Sequence, residues 1–329
     1  MITVTRFDHQ AFRNLLGLFR EYFYSFTPWT GHNEGATYKK VVRRANWSQG
    51  RPQKITAVSC MALCLAWYRF RGACFALQGW FGFTGNHAGV WLKFGRRMLL
   101  KTVIKLREAQ VIMPDNAKVR EYMAIIEKRH PSLQNVYCVA DGLKLAFEST
   151  DSLDEQSMYY NGWQHGHYVT NLLLFGPDGR IIKAVLNAPG SVHDSTLAEW
   201  GNVYEALERI YEETGGKCCL DSAFASTNAD YLIRSAQNYH KAKNAAELVQ
   251  LREATAMRQA AEWGMRAIQG SFPRLKDTIK FERNGERKII LRLAVLLYNY
   301  RLEVVGLNQI RNVYVSEWSR DASNIMNDF

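Results

Sequence analysis

Two short runs of apolar, β-favouring residues each stop at an acid. Residues 136–141 read VYCVAD and residues 217–221 read KCCLD. Unbroken apolar runs of this length suit strands buried on both faces of a sheet, and a chain with two of them needs helices or further strands to cover them. If the two strands are neighbours, Asp141 and Asp221 leave the sheet at the same edge. A single aspartate at a strand end is more commonly a turn former. A matched pair raises the question of what the two carboxylates face.

The segments between and after these runs complete an α/β pattern. Residues 167–190 give two strands joined by a Pro177-Asp178-Gly179 turn, a hairpin by turn chemistry. A helix is expected after Ser191, where Ser191 and Asp194 stand in S-x-x-D spacing, close to a capping box. Further helices are expected at 228–237, 244–267 and 287–305. The order is strand, strand, strand, helix, strand, helices, which fits a mixed sheet flanked by helices.

The region before residue 126 has a different character. Residues 8–27 carry Phe12, Leu15, Leu16, Phe19 and Phe23 at helical spacing. Residues 28–53 are rich in turn formers and bases and read as a loop, with the pairs Lys39-Lys40 and Arg43-Arg44. Residues 55–70 read as a largely buried helix. A short helix over 74–81, a tight turn over 82–85 and a longer helix from 86 to about 106 follow, with Thr84 or Asn86 as its cap. That is the outline of a helix-turn-helix, and Asn86, His87, Lys93, Arg96 and Arg97 are its candidate DNA-contacting residues. Many helical hairpins share this outline, but charge supports the reading. Residues 1–125 hold 19 Lys and Arg against 6 Asp and Glu, while the remainder holds 23 against 25. A basic module beside a near-neutral body suits a polyanion, nucleic acid first among them. A solubilising surface is the plainer explanation.

No run of eighteen apolar residues is present, so no membrane partner is expected. Arg6, Asp8, Arg13 and Arg20 interrupt any signal-peptide pattern in the first twenty residues. The cysteines at 60, 64, 74, 138, 218 and 219 form no CxxC pair. Buried free thiols in a reducing compartment explain them better than a zinc site.

Two carboxylates a few ångströms apart repel, and a divalent cation relieves the repulsion. Oxygen donors suit Mg²⁺ or Mn²⁺. A third acid is then expected from a nearby helix, and Glu262, in RQAAEWGMRAIQGSFPRLK (258–276), is the candidate. Such a trio holds two metal ions about 3.5–4 Å apart, an arrangement that serves phosphodiester cleavage or strand transfer. Glu262 has a plainer alternative, an i,i+4 pair with Arg266.

Five segments in order carry a resemblance. They are VADGLKL at Asp141, YYNGWQHGHYV at 159–169, APGSVHDS at 188–195, CLDSAF at Asp221 and AEWGMRAIQGSFPRLK at 261–276. Through them the chain resembles the PIF/Harbinger-type transposases, which carry a DDE superfamily endonuclease domain. The likeness runs from about residue 135 to 300 and more loosely through the helix-turn-helix. Asp141 and Asp221 lie 80 residues apart, and Asp221 and Glu262 lie 41 apart. Both spacings suit the ribonuclease H-like fold of that family.

The resemblance implies a catalytic triad of Asp141, Asp221 and Glu262 with Mg²⁺ or Mn²⁺ as the cofactor. Asp194 is implied as a further metal ligand, with a helix-cap role as its alternative. His167 reads as structural or DNA-facing rather than as a ligand, since hard cations prefer oxygen. His193 is only a neighbour of interest. Arg266, Arg274 and Lys276 are candidates for substrate phosphates, or a solvated basic face.

The expected organisation is a helical DNA-binding region over 1–125, a ribonuclease H-like endonuclease domain over 126–312 and a tail over 313–329. The implied activity is metal-dependent DNA cleavage and joining in the nucleus, by at least a dimer, with a separate Myb-like DNA-binding protein as a possible second component. The alternatives are a domesticated DNA-binding protein that no longer cuts, and a repair or RNA-processing nuclease of the same fold. The residues after Glu262 depart from the Arg-Thr/Ala-Phe-Gly type of sequence found in animal relatives, and the tail has no recognised counterpart.

Overall fold

A computed structural model describes residues 5–28, 38–41, 55–72, 75–82, 85–149, 152–221, 224, 229–235, 242, 244–279 and 284–315. Arg43, Arg44, Cys74, Thr84 and most of the tail lie outside the described residues, as does the side chain of Asn86. The chain divides into two compact units. The first is residues 1–110 with 271–277 and 282–305; the second is 111–270 with 278–281 and 306–329.

The first unit begins with α1 (His9–Ser25), whose Asp8 cap accepts a hydrogen bond from the Ala11 amide at 2.7 Å. Its apolar stripe is the predicted one: Phe12, Leu15, Leu16, Phe19 and Phe23 are all buried. Each such side chain contributes roughly 1.5–3 kcal/mol when fully removed from water. β1 (Phe26–Pro28) pairs antiparallel with β2 (Tyr38–Lys40), a short ribbon that turn-rich composition had suggested was loop. In α2 (Ala57–Arg69) the buried residues surround the helix, as its nearly continuous apolar sequence predicts. α3 (Phe75–Phe81) and α4 (Gly85–Val103) follow. α4 lies close against α2: a Cβ at Gly95 would meet Cys64 Sγ and Cys60 Sγ at 2.5 and 2.8 Å.

In the second unit, α5 (Asn116–Arg129) precedes β3 (Val136–Ala146). Then come α6 (Leu153–Tyr159), β4 (Tyr160–Asn161), β5 (Gly166–Phe175) and β6 (Ile181–Pro189). β6, β5 and β3 are antiparallel neighbours, and β7 (Lys217–Leu220) and β8 (Leu232–Arg234) extend the sheet in parallel beyond β3. β4 pairs with the start of β5. The sheet is therefore mixed and flanked by helices, as the element order predicted.

Three elements differ from expectation. β3 does not stop at Asp141 but runs five residues further, because β5 continues to pair with it as far as Ala146. The helix expected after Ser191 is two helices, α7 (Asp194–Trp200) and α8 (Val203–Thr214), broken where Asn202 takes a left-handed backbone with φ 48°. The segment expected to be helical over 228–237 contributes β8 instead, since pairing with β7 outweighs its weak helical pattern.

α9 (Ala245–Ser271) follows β8, and α10 (Asn284–Val305) has its residues in the first unit. There the Tyr68 hydroxyl donates to the Ile290 carbonyl at 2.8 Å, and the Tyr300 hydroxyl to that of Ala11 at 3.2 Å. α11 (Gln309–Tyr314) returns to the second unit. Cys60, Cys64, Cys138, Cys218 and Cys219 are buried free thiols. No described helix is long and apolar enough to cross a membrane.

Candidate active site

The parallel register of β3 and β7 brings the first two acids together. Val139 pairs with Cys219, so two residues further along each chain Asp141 stands level with Asp221. Cys138, Val139, Ala140, Cys218, Cys219 and Leu220 are all buried beneath them. Apolar strands thus form the floor, and the acids begin where the parallel pairing ends.

Asp194 joins them from α7. Its carboxylate lies against Gly142, the residue after Asp141: a Cβ there would meet both Asp194 carboxylate oxygens at 3.0 Å. The bare glycine lets α7 approach the strand. Asp194 is the first residue of its helix, the cap residue His193 makes no side-chain cap bond, and the Ser191 hydroxyl donates to the Met158 carbonyl at 2.7 Å. The S-x-x-D box therefore does not form. Asp194 Oδ1 is buried and has no hydrogen-bond partner among the described residues.

The electrostatics follow from this crowding. Burial pushes the Asp141 carboxyl up to about 6, although the Gly142 amide donates to its Oδ1 at 2.8 Å; Arg258 lowers it, and Asp221 and Asp194 raise it. Burial also raises Asp194, which Lys144 opposes and Asp221 reinforces. Asp141 and Asp194 are thus each raised by burial first and by neighbouring carboxylates second.

Glu262 has an ion-pair partner on its own helix. Arg258, one turn earlier on α9, lies 3.0 Å from it, so its partner is Arg258 and not Arg266 as the sequence suggested. Arg258 is also the cation that acts on Asp141 and on the Cys219 thiol. Among the described residues, no group of three His, Cys, Asp or Glu is placed to hold a metal ion. The donor chemistry nevertheless suits a hard divalent cation: the candidates are all carboxylates, and the buried Asp194 Oδ1 has no hydrogen-bond partner among the described residues.

A cleft of about 800 Å³ opens over Asp194 and Asp221 and is lined also by Lys144, Tyr160, Trp163 and His193. Lys144, Trp163 and Arg258 were not singled out from sequence. Lys144 and Trp163 do lie within the segments VADGLKL and YYNGWQHGHYV, and Arg258 stands at i−4 from Glu262, a spacing that could have marked it. His167 packs its ring against Tyr160, 5.6 Å between centroids, in keeping with a structural role.

The basic candidates separate into two groups. His87, Lys93, Arg266 and Lys276 are exposed. Arg96, expected to face DNA, is instead 2 % exposed, with its guanidinium 4.7 Å from the Trp67 ring centroid and 3.8 Å from Glu286. Arg97 bonds to Glu286 and to the Lys93 carbonyl. Arg274 bonds to the Gly72 carbonyl and lies over the Trp67 ring at 5.0 Å. These three arginines brace the first unit, because Trp67, Glu286 and backbone carbonyls offer them partners there.

Residues 140–299 match the family described as DDE superfamily endonuclease. No curated protein and no solved structure matched the chain. The matched stretch contains Asp141, Asp194, Asp221 and Glu262. This match supports a nuclease- or transposase-like activity on DNA, and the mixed sheet flanked by helices is consistent with such a fold.

Proposed function

We propose that this chain is a metal-dependent DNA endonuclease of the PIF/Harbinger transposase type, with a ribonuclease H-like catalytic domain that cleaves DNA and joins the cut end to a target. The observation that carries the reading is the β3–β7 register, which sets Asp141 level with Asp221 while Asp194 closes in against Gly142. The match over residues 140–299 supports the broader class.

Asp141, Asp221 and Asp194 would hold Mg²⁺ or Mn²⁺, with Glu262 as the fourth carboxylate. When bound, such ions activate a water or 3′-hydroxyl and stabilise the leaving oxygen. The chain's own groups supply position and charge. The buried strands fix the aspartates, Lys144 offers a cation to a substrate phosphate, and the cleft accommodates the strand. Exposed His87 and Lys93 on α4 are proposed to contact DNA as part of a helix-turn-helix, together with Asn86; Arg266 and Lys276 are proposed to contact phosphates. A nuclear location, a dimer or larger oligomer and a Myb-like partner belong to the same proposal.

The second reading, a DNA-binding protein that no longer cuts, draws on one observation: Glu262 is already ion-paired with Arg258. The test is nicking of DNA carrying the flanking ends of the gene, with Mg²⁺ or Mn²⁺, by the wild type and by Asp221→Ala. Cutting by the wild type alone, with DNA binding retained in the variant, is expected. Binding without cutting by either protein, with a Myb-like partner supplied, would favour the second reading.

A further inference from the structure

Trp163 is 88 % exposed, an unusual position for the largest apolar side chain. It stands in the lining of the same cleft as Asp194, Asp221 and Lys144. The turn that carries it is firmly built. Tyr160 and Asn161 pair with His167 and Gly166, the Gln164 amide donates to Asn161 Oδ1 at 3.0 Å, and Asn161 Nδ2 donates to the Gly190 carbonyl at 2.7 Å. Gly190 begins the loop that leads to His193 and Asp194. A Cβ at Gly190 would collide with the carbonyl oxygens of Tyr159 and Tyr168, so the two loops are in intimate contact. Tyr160, 43 % exposed, adds a second aromatic ring to the cleft wall.

The cleft thus combines two chemistries. Its lining includes the acids Asp194 and Asp221 with Lys144, and the exposed aromatic side chains of Trp163 and Tyr160. A nucleotide has the matching halves, a phosphate and a flat base. The cleft's volume of about 800 Å³ falls in the usual range for ligand pockets, roughly 300–1,000 Å³. Within a duplex both faces of a base are covered by its neighbours, so away from the ends only a base displaced from the stack can offer a face to an indole.

We infer that Trp163, flanked by Tyr160, is a stacking platform for an unpaired nucleobase next to the phosphodiester held at the acids. This rests on the proposed action on DNA and specifies the form of the substrate: a strand locally unpaired at the reacting position.

The test compares binding of the full chain, in Mn²⁺, to a duplex with a short oligothymidine tail and to the same duplex with blunt ends. Wild-type nicking is measured alongside. Trp163→Ala is expected to weaken binding of the tailed DNA by about five- to hundredfold and to leave blunt-duplex binding unchanged. Trp163→Phe is expected to restore most of the loss, and because the side chain is exposed both variants are expected to keep the wild-type melting temperature, which is measured for each. A 2-aminopurine placed in the tail should be quenched by the wild type and not by Trp163→Ala. Equal effects on tailed and blunt DNA, or none on either, overturn the inference. If the wild type nicks DNA in that case, only the stacking role falls; if the wild type neither nicks nor binds the tailed DNA, the proposed function falls with it.

Discussion

Arg258 and Glu262 form an ion pair of 3.0 Å one turn apart on α9, and the same arginine acts electrostatically on Asp141 at the end of the β3–β7 pairing. One guanidinium therefore supplies positive charge to both Glu262 and Asp141. A divalent cation at these acids would compete with it.

Arg258→Gln is accordingly expected to raise Mn²⁺ affinity in the absence of DNA, by about two- to fivefold. The pair is partly exposed, and such pairs are worth about 0.2–1 kcal/mol. Isothermal titration or Mn²⁺ electron paramagnetic resonance measures it directly. Unchanged affinity in both Arg258→Gln and Glu262→Gln would remove Glu262 from the ligand set.

Gly142 is the second place where the site is sensitive. A methyl group there would press on both Asp194 carboxylate oxygens at 3.0 Å, and the carboxylate must shift by a few tenths of an ångström. Gly142→Ala is expected to weaken Mn²⁺ binding and metal-dependent nicking about tenfold or more, while the melting temperature moves little. A variant that nicks as well as the wild type would show that Asp194 is not held in a critical position.

The second unit should lose stability in mild acid through His130. This residue is buried, its Nε2 lies 3.0 Å from the Tyr314 hydroxyl, and burial lowers its pKa, with Arg129 acting in the same direction and Glu253 against it. The folded form thus disfavours the proton that the unfolded chain accepts near pH 6.5. Stability is full above that value and falls as the pH drops through it towards the lower folded pKa. Thermal unfolding of the wild type and His130→Gln from pH 7.5 to 5 tests this. The variant should show a shallower fall over the same window, and identical slopes would contradict the assignment.

Much of the second unit was legible because its signals are local. Apolar runs marked β3 and β7, and Pro177-Asp178-Gly179 marked the turn between β5 and β6. The register that places Asp141 level with Asp221 was not legible, since it depends on contacts between residues 80 apart in the chain. The continuation of β3 past Asp141 was missed for the same reason: the Asp-Gly pair reads as a turn, while pairing with β5 holds it extended. Arg96 illustrates the converse error. Charge at helical spacing suggested a DNA-facing side chain, but Trp67 and Glu286, distant in sequence, receive it inside the first unit. The assignment of α10 to that unit was equally hidden, because an apolar helix does not declare which core it enters.

The bond from Asn161 to Gly190, with the crowding around that glycine, has a consequence for how relatives of this chain can diverge. The loop bearing Trp163 and the loop leading to Asp194 cannot drift independently: a change at 158–163 would have to be matched at 189–191. Substrate preference and ion holding would then be inherited as one block, altered together or not at all.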